Sequence, residues 1–113
     1  MVNADTETVP KDGAVDKLIQ RADSASKFLK ALGHDGRLTI LCHLLSGPKS
    51  VTELENLLSA RQAVVSQQLA RLRLERLVAA RRDGNAIFYS IEDDKVRKTV
   101  VFLANLFEDG AYM

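Results

Sequence analysis

The stretch SVTELENLLSARQAVVSQQLARLRLERLVAARRDGNAIFYSI, residues 50–91, decides the fold. It opens on Ser50-Val51-Thr52-Glu53, a Ser-x-x-Glu capping box, in which the serine hydroxyl and the glutamate carboxylate each accept a backbone N–H at a helix start. The helix it predicts carries Val51, Leu54, Leu57 and Leu58. After a break at Ser59-Ala60, a second helix is expected over residues 61–74. Two helices around a short turn are the helix-turn-helix pattern. Residues 77–82 and 86–91 are β-prone runs around Asp83-Gly84-Asn85, a hairpin signal. A helix-turn-helix followed directly by a basic hairpin reads as a winged helix.

Placing Val65, Leu69, Leu72 and the aliphatic stem of Arg76 inward puts Ala63, Gln67, Ala70 and Arg71 on the opposite side, at 100° per residue. Gln62 and Ser66 then lie at the helix start and on the flank. A helix that enters the major groove of DNA presents its N-terminal residues to base edges. The amides of Gln62 and Gln67 can pair with adenine, and Ser66 can reach base or phosphate. The small Ala63 and Ala70 permit close approach. Arg71 and Arg73 are long enough for phosphates. In the hairpin, Arg81, Arg82 and Asn85 are the DNA-facing candidates, and strand register decides which arginine points outward.

The net charge of +1 is unremarkable for a nucleic-acid binder, but its distribution is not. Residues 61–82 hold six arginines against Glu75, whereas residues 1–16 hold Asp5, Glu7, Asp12 and Asp16 against Lys11. The positive charge sits on the expected reading head, where phosphate neutralisation supplies affinity. A protein-interaction adapter on the same scaffold is the rival reading. The arginine clustering argues against it, and a salt titration separates the two, because DNA binding weakens steeply with salt.

At 113 residues, 46% hydrophobic and 27% charged, the chain suits one small soluble domain. It has no apolar run of the ~20 residues that a membrane span needs, and its polar, acidic start lacks a signal-peptide core. The expected compartment is the cytoplasm. No Gly-rich phosphate loop, zinc motif or paired nucleophile points to an enzyme, and no cofactor is expected.

Residues 1–13 read as a disordered tail, 14–108 as the single domain and 109–113 as a second tail. A first helix over about residues 14–32 carries Val15, Leu18, Ala22, Ala25, Leu29 and Leu32 in one apolar stripe. A second, over about 35–45, turns Leu38, Leu41 and Leu45 inward. The last helix carries Val96, Val100, Leu103 and Phe107 at coiled-coil spacing. The expected fold is therefore mainly α with a β-hairpin wing, in the order α-α-α-α-β-β-α. The first and last helices carry more apolar surface than so small a core absorbs. That predicts a homodimer through Leu18, Ala22, Val96, Val100, Leu103 and Phe107.

Cys42, the single cysteine, lies among Leu38, Leu41 and Leu45, where a small buried hydrophobe is the plain reading and a redox thiol the functional one. His34 suits a helix cap better than a metal ligand.

The order of elements resembles the ArsR/SmtB family of bacterial repressors. Three segments carry the resemblance: residues 32–38 (LGHDGRL), 62–72 (QAVVSQQLARL) and the wing at 81–91 (RRDGNAIFYSI). Residues 41–45 (LCHLL) and the 61–73 run are most similar to the sulfide- and persulfide-responsive, BigR/SqrR/HlyU-like branch. The resemblance implies a dimeric repressor of an inverted-repeat operator in double-stranded DNA, with persulfide, sulfide or an oxidant as inducer acting through Cys42. The chain departs from the family in three places. The helix of Thr52 to Leu57 lacks the cysteines of the metal sensors, the last helix has no histidine, and Glu108 stands where the persulfide branch has its second thiol. Neither of the family's usual metal sites and no two-thiol switch are therefore expected; a repressor whose inducer is a different small ligand or metal is the alternative.

Overall fold

The computed structural model describes residues 9–109. Most of both expected tails, at 1–8 and 110–113, lies outside the described residues. Two compact units are present, residues 1–30 and 31–113.

In the first unit, α1 (Ala14–Gln20) is followed by α2 (Ala22–Leu32), which runs on into the second. One continuous helix was the expectation. It is interrupted at Arg21, whose φ of -111° and ψ of 21° leave helical geometry. The interruption is local, because Arg21 N–H still donates to the Lys17 carbonyl at 3.1 Å and Ala25 N–H to the Arg21 carbonyl at 3.0 Å. The apolar stripe is real but uncovered: Val15, Leu18, Ile19 and Leu29 are all exposed.

The second unit contains α3 (Asp35–Leu44), β1 (Lys49–Ser50), α4 (Val51–Leu58), α5 (Gln62–Leu74), β2 (Val78–Asp83), β3 (Ala86–Ile91) and α6 (Asp94–Leu106). The sheet is antiparallel in the order β1-β3-β2. The hairpin β2–β3 was expected; β1 was not. It is two residues long, and it pairs Lys49 with Tyr89 and Ser50 with Phe88.

Local chemistry explains the helix ends. Ser50 Oγ accepts from Glu53 N–H at 3.1 Å and Glu53 Oε1 accepts from Ser50 N–H at 2.8 Å, which closes the capping box at α4. His34 caps α3 with a single bond, its Nδ1 accepting from Gly36 N–H at 3.1 Å. Ser59, at φ 51°, makes the left-handed turn between α4 and α5. Arg76, at φ 59°, ends α5 by the same device, as Leu77 N–H returns to the Leu72 carbonyl at 3.0 Å. Arg76 is thus exposed and beyond the helix, and its stem is not part of the buried stripe.

The core is apolar throughout. Ile40, Leu41 and Leu44 of α3, Leu54 of α4, Val65, Leu69 and Leu72 of α5, Val78 of β2, and Val96 and Val100 of α6 are all buried. Here α3 differs from expectation. It turns Ile40, Leu41 and Leu44 inward, while Leu38 and Leu45 are half-buried. Leu38, Ile40, Leu41, Leu44 and Leu45 form one broad apolar face, so spacing alone did not fix its buried centre.

Leu69 is 0% exposed and meets the core along its whole length, so Leu69→Ala is expected to lower unfolding free energy by about 2–5 kcal/mol. Leu74 is 76% exposed, so Leu74→Ala should shift it by no more than about 0.5 kcal/mol. Urea denaturation followed by circular dichroism measures both. An unchanged midpoint for Leu69→Ala would contradict this packing.

Candidate nucleic-acid interface

The buried stripe of α5 fixes which residues look outward. With Val65, Leu69 and Leu72 at 0–1% exposure against α3, α4 and β2, residues Gln62, Ala63, Ser66, Gln67, Ala70, Arg71 and Arg73 are all exposed. Ala63, Gln67 and Ala70 lie nearly opposite the stripe, and Gln62, Ser66 and Arg73 line one flank. Leu74 shares the outward face at the far end. At the helix start, the N-cap Arg61 makes no side-chain cap, so its side chain blocks none of the first-turn N–H groups. Such groups suit an anion.

The register of the hairpin fixes the two faces of the wing strands. Arg81 lies opposite Phe88 and Arg82 opposite Ile87. Arg82 therefore shares a face with Val78 and Ala80, while Arg81 shares the other with Ala79 and Asp83. Both arginines are exposed, as is Asn85 in the two-residue turn, where Gly84 takes φ 65°. Arg61, Arg73, Arg81 and Arg82 form no ion pair with the described residues, whereas Arg71 is engaged by Glu75 across one helical turn at 3.8 Å. The structure thus brings the candidates together on two neighbouring elements, since α5 packs on β2.

Other candidates are placed differently. Val96 and Val100, expected in a dimer interface, are buried in their own chain, where α6 packs on α3 and β3. The stripe they begin runs past the core: Leu103 is half-buried and Phe107 is 47% exposed. Beside it Phe102 and Leu106 are exposed too. Leu18 and Ala22, the other interface candidates, are both exposed.

Cys42 is exposed and is not a buried hydrophobe. The phase of α3 explains this, because Cys42 lies on the side away from Ile40, Leu41 and Leu44. Even so, partial burial pushes its thiol above the ordinary value, against a smaller downward pull from a backbone hydrogen bond. Glu108 lies just beyond the Phe107 C-cap of α6. Among the described residues, no group of three or more His, Cys, Asp and Glu is placed to hold a metal ion. No helix among them is long and apolar enough to cross a membrane.

One residue escaped the sequence reading. Arg37, half-buried in α3, donates to the Ala31 carbonyl at 2.6 Å and to Gln68 on α5 at 3.2 Å. The available signal was its spacing, three and four residues before the inward Ile40 and Leu41.

Residues 34–80 match the family profile described as bacterial regulatory protein, arsR family. The chain is similar to the biofilm growth-associated repressor of Agrobacterium fabrum, at 40% identity over 78% of this chain and 75% of that one. It is also similar to the crystal structure of the transcriptional repressor BigR from Xylella fastidiosa. That likeness has a TM-score of 0.79 at 35% identity, over 83% of this chain and 96% of that one. A third likeness is to a homodimeric winged helix-turn-helix DNA-binding domain from Mycobacterium bovis, with a TM-score of 0.70 at 26% identity, over 87% of this chain and 90% of that one.

Because the thiolate is the nucleophile, a raised thiol pKa predicts slow chemistry at Cys42 near neutral pH. Iodoacetamide labelling, followed by mass spectrometry, should run slower than for an unstructured cysteine peptide at the same pH. The rate should keep rising with pH after the peptide's has levelled. Labelling as fast as the peptide's would contradict the assigned direction.

Proposed function

We propose that this chain, which belongs to the arsR family of bacterial regulatory proteins and is a DNA-binding transcription regulator rather than an enzyme, represses transcription as a homodimer on an inverted-repeat operator. The observation that carries the proposal is the outward face of α5, where Gln62, Ala63, Ser66 and Gln67 are exposed together beside unpaired arginines.

In this reading α5 enters the major groove. Gln62 and Gln67 offer bidentate amides to adenine, Ser66 reaches a base or a phosphate, and Ala63 lets the helix backbone approach a thymine methyl. Arg71 and Arg73 neutralise phosphates along the groove. Arg81, Arg82 and Asn85 carry the wing to the flanking backbone or the minor groove. The protein works in the cytoplasm, on double-stranded DNA.

One α5 per chain reads one half-site, so two-fold symmetry requires two half-sites about one helical turn, ~34 Å, apart. The pairing surface is the uncovered apolar face of the terminal helices, Leu18 and Ala22 at one end and Leu103 and Phe107, with Phe102, at the other. The homodimeric state of the Mycobacterium bovis domain supports a dimer. Reactive sulfur or oxidants act through Cys42 alone, because no second thiol exists to close an intrachain bridge. An adduct there alters the exposed side of α3, which packs on both α5 and α6.

Sedimentation at micromolar concentration is expected to show a dimer, and Phe107→Asp should weaken dimerisation and DNA binding together. A monomer that binds a single half-site tightly contradicts the proposal.

Base reading is tested by fluorescence anisotropy. Gln62→Ala and Gln67→Ala should each cost about 1–3 kcal/mol at a particular base pair, whereas Arg73→Ala should weaken binding to all sequences and reduce the salt slope by about 1. Unchanged operator preference in the double glutamine variant overturns the assignment. Release from DNA by a persulfide donor should vanish in Cys42→Ser; release that persists removes the thiol from the mechanism.

A further inference from the structure

We propose that Arg37 is a positioning residue for DNA reading. Its guanidinium clamps α5 to the start of α3 through Gln68, and so sets how Gln62, Ser66 and Gln67 meet the bases. The inference rests on the reading of α5 given above.

Arg37 Nε donates to the Ala31 carbonyl at 2.6 Å, and Arg37 Nη1 donates to Gln68 Oε1 at 3.2 Å. Ala31 lies in the last turn of α2, where carbonyls lack intrahelical partners. The arginine therefore has a fixed anchor at one edge of its plane. A guanidinium is rigid, so fixing one N–H direction fixes the others, which a flexible lysine cannot do. The anchored fork holds Gln68, and Gln68 adjoins Gln67 and stands two residues from Ser66. Any rotation of α5 about its axis moves all three together.

The surroundings make the clamp necessary. At Gly36 the two helices come close: a side-chain carbon there would sit 3.8 Å from Gln68 Cγ. Alongside that contact the junction is open, with a cleft of about 210 Å³ among Thr39, Leu58, Val64 and Gln68. Tight packing transmits position, and a gap forfeits those contacts. The gap falls at the N-terminal half of α5, the half that carries the base-reading side chains. Leu69 and Leu72 hold the rest of the helix in the core, while at its front Val65 packs inward and this hydrogen bond adds a directional tie to α3. Arg37 itself is half-buried and is bonded inward, so it performs this role without touching DNA.

The test uses the full chain, an operator duplex selected from genomic fragments and a scrambled duplex of equal length, over a range of salt. Arg37→Leu and Gln68→Met should each lower the operator-to-scrambled affinity ratio by about five- to tenfold, the scale of one misplaced base contact. Affinity for the scrambled duplex and the salt slope should stay at wild-type values, because no phosphate contact is lost. The double variant should be no worse than the poorer single one, since both remove the same bond. Thermal melting accompanies each variant. If Arg37→Leu fails to fold, Gln68→Met, which leaves the Arg37 bond to Ala31 intact, carries the test. An unchanged ratio, additive losses in the double variant, or a salt slope reduced by about 1 in Arg37→Leu overturns the clamp. If the wild-type chain does not prefer the operator, the reading of α5 itself fails, and the clamp with it.

Discussion

The packing of Val65, Leu69 and Leu72 against α3, α4 and β2 is the constraint on which the rest of the molecule depends. These three side chains set the rotational phase of α5. Once they are inward, helical geometry leaves no choice about Ala63, Gln67 and Ala70, which must face outward. Burying one such side chain is worth roughly 1.5–3 kcal/mol, more than any polar contact on the exposed face contributes. The outward face is therefore a by-product of the core, and its residues are available for the DNA reading proposed for them.

Charge works in two separate ways in this small fold. Arg37 and Arg97 are structural. The first satisfies the Ala31 carbonyl and the second the Leu45 carbonyl, at 2.6 and 3.1 Å. Each meets a helix C-terminus, where a cation is favourable. Arg61, Arg73, Arg81 and Arg82 instead make no ion pair with the described residues and lie on the outward side of α5 and the wing. Composition sees only a net charge of +1; position separates the arginines that build the fold from those left for a polyanion.

Local signals carried most of the architecture. The capping box at Ser50 and Glu53, the break at Ser59-Ala60 and the Gly84-Asn85 turn are each encoded within a few residues, so α4, α5 and the wing were legible, and with them which side chains are exposed on the face proposed to meet DNA. What depended on distant partners was not. Strand β1 is two residues long and exists only through its pairing with Tyr89 and Phe88. The phase of α3 was read only in part: Leu41 is inward as expected, but Leu38, Ile40, Leu41, Leu44 and Leu45 form one broad apolar face whose buried centre lies at Ile40, Leu41 and Leu44. That error carried Cys42 inward, where the structure exposes it. In α6 the spacing correctly found one stripe, but spacing cannot tell that Val96 and Val100 are buried in their own chain while Phe107 stays 47% exposed. The link from Arg37 to Gln68 spans 31 residues and was beyond any local pattern.

One α5 per chain is proposed to read one half of a two-fold symmetric DNA site. Selection of bound fragments from genomic DNA by the purified protein tests it most directly. The account predicts enrichment of an inverted repeat whose half-sites lie about one helical turn apart, ~10 base pairs between centres. Enrichment of an unrepeated sequence, or of no sequence at all, would contradict it.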